Sequence, residues 1–544
     1  MAMRGQHTAM PVEQPPLEQI RNIAADLADA ADDVERVIYA LELDARLSGD
    51  LDETQRSVKG IFGSAPDIMI GRVASRDGIE VLVVFNQVLV DRATMVRVVF
   101  DRIADTRLAP FMHGPSKTLL QSVAQNIAPT GTSEVVAHMG ELATHVLEGS
   151  AIVCLPGTVE GLAIQMEQAP KRAISEPTSS PVVIGPHEGF IEDASTNLSL
   201  VRRRLRTPRL WVEPFRLGGV SQTTVYLLHL HGIADDLVVQ EARRRIGGIR
   251  IDGVLDANYV LELIRDAPGL PVPTIMRTER PDKVAAGLLE GQFAVVVDGS
   301  PFALLAPITF AHLLKSSEDY YQGWFPSSVL RFFRLAALLM GVLLPGVYTA
   351  IVTYHQELIP TPLLIVLASS RENVPLPTIV ELLLMMGLFE VIREAGVRVP
   401  QGIGSAVTIG GTLVVGQAAV RAGIVSAPII IVVSGVVISF LAVPDYDLVQ
   451  ISRFLVYPLL VGASILGLFG LLFVALGFAL IAASLRSFGV PFLSPLAPMR
   501  PRNWKDFLVR VPWWGMNTRP ASTGQANPVR QAPNQKPKPP GLRS

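Results

Sequence analysis

The sequence predicts an α/β cytoplasmic N-terminal region of two small subdomains followed by an all-α polytopic membrane domain. Three observations carry this. Residues 455–485 form a run of 31 without a formal charge. Between Arg398 and Asp445 the only charge is Arg421. The preceding 330 or so residues hold most of the acidic groups and contain no comparable apolar stretch. About 20 apolar helical residues cross a bilayer core, because hydrocarbon offers no partner to an unpaired backbone N–H or C=O. The last third is therefore read as membrane-embedded. The whole-chain values, 49% hydrophobic residues and a mean hydropathy of +0.37, average over two unlike parts.

In chain order, residues 1–54 are read as a variable, partly disordered segment. It mixes Asp, Glu and Ala at helical spacing and has no uncharged apolar core, so no signal peptide is expected. Residues 55–170 are read as a first cytoplasmic subdomain, with a strand at 78–85, helices at 94–103 and 134–147, and a strand around Cys154. The polar stretch 171–181, with Pro177 and Pro181, reads as a linker. Residues 182–325 form the second subdomain, with strands at 223–231 and 292–297 and helices at 236–246 and 281–290. The strand order of neither subdomain follows from the sequence.

The membrane domain, 326–490, offers spans at 332–352, 403–420, 424–443 and 455–485. The last is about 46 Å long as one helix, so it must tilt, kink or protrude; Pro458 and several glycines permit this. Residues 376–392 are apolar but carry Glu381 and Glu390, and cross, re-enter or lie at the interface. The tail, 491–544, has nine Lys and Arg after position 499 against the single acid Asp506. By the positive-inside tendency it is cytoplasmic, like the N-terminus, so the crossings are even in number. That leaves four plus a re-entrant helix, or more if the final stretch passes twice.

Several function classes drop out. A net charge of −2 gives no basic footprint for nucleic acid. Neither a phosphate-binding G-x-x-x-x-G-K-[ST] loop nor a strand-linked G-x-G-x-x-G occurs, so no cofactor and no enzyme activity are expected. Cys154, the single cysteine, reads as a buried, reduced thiol. His229 and His231 share one face of a strand without a nucleophile pattern. The basic run Arg202, Arg203, Arg204, Arg206 and Arg209 reads either as a contact for anionic lipid or a partner, or as a solvated helix end.

Charges within apolar segments are costly unless they face water, protein or another charge. Glu381, Glu390, Arg393, Glu394 and Arg398 are accordingly the candidate ion path or gate; the competing reading is an interfacial helix whose charges reach headgroup water. On a helix Glu390 and Glu394 share a face, with Arg393 beside it. His355 and Glu357, after the first span, form a candidate membrane-flanking polar site. Two groups do not make a zinc site, and no metal is expected. Gly404, Gly410, Gly411 and Gly416 suit close helix packing.

Four blocks resemble one family. They are Gly185-Pro186-His187-Glu188-Gly189-Phe190 through Arg202-Arg203-Arg204; Thr278-Glu279-Arg280-Pro281-Asp282-Lys283 through Asp298-Gly299-Ser300-Pro301-Phe302 to Glu318-Asp319-Tyr320-Tyr321; His355-Gln356-Glu357 through Phe389-Glu390 to Arg398-Val399-Pro400; and Ser487-Phe488-Gly489-Val490-Pro491-Phe492 with Asp506, Arg510, Pro512 and Arg519-Pro520. Over roughly residues 55–520 the chain resembles the A-subunit family of spore germination receptors. The resemblance implies a non-enzymatic, multi-pass subunit in the inner membrane of the bacterial spore, transducing nutrient binding into ion release. Its implied partners are a transporter-like B subunit, a lipoprotein C subunit and further A subunits forming a homo-oligomer, an arrangement that includes an oligomeric cation channel among its readings. An A-type accessory subunit of the dipicolinate-release machinery and an ion-coupled transporter are the alternatives. Members usually carry a glutamate one turn before the position of Glu390, where this chain has Met386.

Overall fold

The structure, a computed structural model, describes residues 37–63, 65–111, 120, 123–125, 133–166, 176–177, 182–398, 414–499, 501–520, 523–524 and 527–537. Most of the expected linker 171–181, the first part of the expected span 403–420 with Gly404, Gly410 and Gly411, and the extreme ends of the chain lie outside these residues. The chain forms two units. The first comprises 1–172 with 202–214 and 230–235, and the second the remainder.

In the first unit, helix α1 (Leu51–Phe62) precedes an antiparallel sheet of β1 (Ile68–Ala74), β2 (Glu80–Asn86), β3 (Ser133–Val136), β4 (Ser150–Cys154) and β5 (Gly161–Gln165), ordered β1-β2-β4-β5-β3. Side chains alternate between sheet faces. Val81, Val83 and Phe85 of β2 therefore meet Met95, Val99 and Ile103 from the helical stretch 92–105, whereas Leu82 and Val84 meet Val58 and Ile61 of α1 and Leu142 and Val146 of α2 (Met139–Leu147). With both faces covered, the strand reads as a continuous apolar run. Cys154 lies on the second face, 4% exposed, and burial pushes its thiol up to about 12.

The helix expected over 134–147 is corrected. Its first residues are β3, where Val135 and Val136 pair with Leu162 and Gly161. The helix begins only at Met139, where the Glu141 carboxylate accepts from the His138 N–H in a capping box. The solvated-helix-end reading of the basic run fails at Arg202, which is fully buried. Its Nε and a terminal nitrogen donate to Asp67 at 2.7 and 3.1 Å. Removing one partner of such a pair costs about 3–5 kcal/mol, because the other charge is left buried alone.

The second sheet contains β6 (Leu210–Leu217), β7 (Thr223–Leu230), β8 (Met276–Thr278), β9 (Phe293–Val297) and β10 (Ala303–Ala306), ordered β6-β7-β9-β10-β8. Its helices are α3 (Ala194–Arg204), α4 (Asp236–Gly247), α5 (Ala257–Ile264) and α6 (Pro281–Leu289). Counted from its own first strand, this sheet has the strand order of the first. Each follows the path helix, two strands, helical stretch, strand, helix, two strands, the helical stretch being 92–105 in the first and α4 with α5 in the second, so the α/β region repeats one topology.

After α7 (Phe310–Leu314) the chain becomes helical: α8 (Trp324–Tyr354), α9 (Thr361–Arg371), α10 (Thr378–Arg398), α11 (Ala427–Leu441) and α12 (Tyr446–Ser484). Among the described residues, α8 and α12 are long and apolar enough to cross a membrane. Small residues bring these helices together: a Cβ on Gly341 would stand 2.9 Å from Phe440, and one on Gly346 2.7 Å from Leu471.

α12 is not one rod. Gly467 has φ 64° and ψ −142°, a conformation that side chains disfavour, and the chain folds back there. A Cβ on Gly462 would meet Val474 at 2.8 Å, twelve residues away, where a continuous helix separates such positions by about 18 Å. The turn leaves backbone groups without helical partners. The Tyr354 hydroxyl donates to the carbonyls of Ser464 and Ile465 at 2.8 and 3.0 Å, and the Leu468 N–H donates to His355 Nε2 at 3.4 Å. Strands β11 (Arg486–Ser487) and β12 (Val490–Pro491) then return the chain to the second sheet, where the Ser487 hydroxyl donates to the Thr274 carbonyl at 2.6 Å.

Candidate functional site: charged groups of the helical region

Pro375 and Pro377 precede α10, and Glu381 lies in its first turn, where a carboxylate complements the helix dipole. Glu381 is fully buried. It accepts from the backbone N–H of Ser426 at 2.7 Å, and an Arg371 nitrogen stands 3.5 Å away. This carboxylate thus ties the end of α9 to the starts of α10 and α11. Glu390 lies nine residues on, about 14 Å along the helix. It accepts from Arg393 Nε at 2.8 Å and pairs with Arg453 of α12 at 3.4 Å. Glu390, Arg393, Glu394, Arg453 and Tyr457 line an open groove of about 840 Å³.

The structure therefore brings Glu390, Arg393 and Glu394 together and places Glu381 in a separate buried contact. The Arg398 side chain lies outside the described residues. His355 caps the hairpin turn, while Glu357 is exposed on a single 3-10 turn, Gln356–Leu358. Met386, one turn before Glu390, is 8% exposed and packed. Met386→Glu is accordingly expected to lower the thermal midpoint of the detergent-solubilised chain, by the equivalent of about 1–3 kcal/mol for a poorly compensated buried polar group. An unchanged midpoint counts against the packed position.

A second charged cluster, to which the sequence assigned no role, centres on Arg331 and Asp506. Arg331, 1% exposed and two turns into α8, donates from Nε to Asp319 at 2.9 Å and from a terminal nitrogen to Asp506 at 2.8 Å. Arg334 adds a bond to Asp319 at 2.8 Å, and both Lys315 Nζ and the Tyr320 hydroxyl donate to Asp506 at 2.7 Å. Burial alone raises the Asp506 carboxyl, but the charges of Lys315 and Arg331 and the bonds from Lys315 and Tyr320 outweigh it. They hold it well below the usual carboxylate range. The signal was present: two arginines spaced i, i+3 at the head of an apolar run, and one acid in a basic tail.

The tail is docked at least as far as Arg530. The Thr523 hydroxyl donates to the Glu290 carbonyl at 2.7 Å, and Arg530 pairs with Glu290 at 3.3 Å. The fit depends on Gly291, where φ is 87° and a Cβ would lie 2.3 Å from the Thr523 carbonyl oxygen.

A repeated α/β region ahead of apolar helices, with buried charges held in pairs, defines a class of protein that joins a large polar region to helices able to cross a membrane. Residues 56–522 match the family model described as Bacillus/Clostridium GerA spore germination protein. Spore germination protein KA of Bacillus subtilis (strain 168) is 37% identical over 91% of this chain and 89% of its own length. Uncharacterized membrane protein YfkQ of the same organism is 40% identical over 80% and 86%. The crystal structure of the N-terminal domain of the A subunit of the Bacillus megaterium spore germinant receptor GerK3 is 28% identical, covering 49% of this chain and 98% of that one, with a TM-score of 0.39. The chain belongs to the GerA spore germination family, as an A-type germinant receptor subunit.

Proposed function

We propose that this subunit crosses the membrane six times with both ends cytoplasmic, and that copies of it assemble around an ion path bordered by Glu390. Several contacts support the topology. α8 begins beside the tail through Arg331 and Asp506, and α12 begins beside β8 through the pair Asp447 and Arg277. α12 ends beside the same sheet through Ser487, while its turn lies at the far end of α8, beside Tyr354 and His355. α10 runs from Ser426, at the start of α11, towards Arg453, in the second turn of α12. The span expected at 403–420, largely outside the described residues, supplies one further crossing. At eleven residues, α9 is about 17 Å long, too short to span a core of about 30 Å. The proposed passes are α8, α10, the expected span 403–420, α11 and the two arms of α12, an even number that matches the basic tail.

The observation that carries the ion path is Glu390, held by Arg393 and Arg453 at an open groove among predominantly apolar helices. A neighbouring A subunit covers this groove in the assembly, and the B and C subunits act as the germinant-binding and outer-face companions. Anionic headgroups meet the basic residues of the tail. Glu390→Gln preserves shape while removing charge. Single-channel recordings of the reconstituted complex are expected to show altered conductance or cation selectivity with unchanged complex abundance. Unchanged currents with normal assembly return Glu390 to a lipid-interface role.

A further inference from the structure

A second cavity, of about 200 Å³, lies between α6, β8, β10, the segment 312–321 and the tail. Its walls are mainly apolar and aromatic: Met276, Leu305, Tyr320, Tyr321 and Trp513, with the small residues Ala286 and Gly287 leaving the space open. An engineered apolar cavity of about 150 Å³ takes benzene, so this one has room for a single ring or a short branched chain.

Its charged lining is unevenly matched. Asp282 accepts from Arg280 at 2.8 Å and from the Tyr321 hydroxyl at 2.7 Å. Glu290 pairs with Arg530, and Lys315 with Asp506. Lys283 is half-buried and forms no hydrogen bond or ion pair with any described residue. Asp445, which contributes to its electrostatic surroundings, instead caps α12 by accepting from the Leu448 N–H at 2.9 Å. In the same cavity His312 is spoken for: its Nε2 faces the Glu290 carboxylate at 3.9 Å, and its Nδ1 accepts from the Thr309 N–H at 3.0 Å. Ligand sites commonly have this composition: apolar walls and a few unspent polar groups that set orientation.

We infer that this cavity binds a small organic carboxylate with an apolar body, its charge on Lys283 and its body among Met276, Leu305, Tyr320 and Trp513. A monoanion suits the single unspent ammonium. A dianionic phosphate is disfavoured, because Asp282 and Glu290 line the same walls and one cation cannot balance it. The ligand bridges the second sheet, the lead-in to α8 and the tail, since each supplies part of the wall. The inference rests on this cavity alone and stands or falls separately from the Glu390 path.

The test uses the full chain in detergent, with sodium benzoate as probe and saturation-transfer NMR as readout. Benzyl alcohol serves as the neutral analogue and phenyl phosphate as the dianion. Saturable transfer is expected for benzoate, and much weaker transfer for the other two. Lys283→Met should weaken benzoate binding at least tenfold. Ala286→Phe, at an exposed position that lines the cavity, should abolish it by filling the entrance while leaving the unliganded thermal midpoint unchanged. The inference is overturned if wild type shows no saturable transfer at millimolar benzoate, or if benzyl alcohol or phenyl phosphate binds as well. Wild-type affinity in either variant also overturns it, because the probe then sits elsewhere.

Discussion

In a chain lacking Cys154, the double substitution Gly462→Cys and Val474→Cys is expected to form a disulfide within one subunit, and Gly470→Val is expected to prevent it. The Cβ built on Gly462 stands 2.8 Å from a terminal carbon of Val474, within the reach of a disulfide. A continuous helix keeps the two positions about 18 Å apart and cannot form the bond. Gly470 is the tightest point of the hairpin: a Cβ there would meet the Gly462 carbonyl oxygen at 2.1 Å, and that oxygen is backbone. Valine must therefore force the two arms apart, at a cost of about 3 kcal/mol. Gly467→Ala acts at the turn by a different route, placing a Cβ on a backbone at φ 64° and 2.9 Å from His355 Nε2. That strain is worth about 1–3 kcal/mol. Mass spectrometry of the cross-linked subunit and thermal unfolding in detergent read both effects. A cross-link that forms equally well with Gly470→Val would count against the fold-back.

Asp506→Asn is expected to release the tail. Lys315, Tyr320 and Arg331 all converge on this carboxylate, and amide replacement leaves Lys315 without its ion-pair partner and Arg331 with Asp319 alone. The loss is about 3–5 kcal/mol, as for other buried pairs broken from one side. The measurement is limited trypsin digestion. Cleavage after Arg510, 2% exposed in the docked tail, should accelerate strongly in the variant and remain slow in wild type. The pH dependence follows from the depressed carboxyl. Its stabilising contribution is complete above the unfolded value of about 3.9 and is lost as pH falls through the lower folded value. Tail protection should thus hold between pH 5 and 8, within about the range used for digestion, and fail only in stronger acid. Loss of protection near pH 6 would point to a different group.

Charge distribution alone separated the polar region from the apolar helices, because burying a charge in hydrocarbon costs enough to mark every segment that avoids it. The continuous apolar run of β2 and the helical periods of α4 and α6 were equally legible, since each depends on residues a few positions apart. The acids Glu381 and Glu390 stood out for the same reason. Only the tertiary structure decided that Glu381 is spent on the Ser426 N–H, whereas Glu390 opens onto a groove. Residues 134–136 looked helical because their helical continuation through Leu147 is real, and pairing with β5, 25 or more residues downstream, took them into the sheet. Gly462, Gly467, Gly470 and Gly477 are alike in sequence. The choice of Gly467 for the turn depends on Tyr354 and His355, more than 100 residues earlier, satisfying the exposed backbone. The common strand order of the two sheets, and the partnership of Asp506 with a cation at the head of α8, are likewise matters of long-range pairing. A local pattern reports what a segment must hide or expose, and the surface that covers it is supplied by distant parts of the chain.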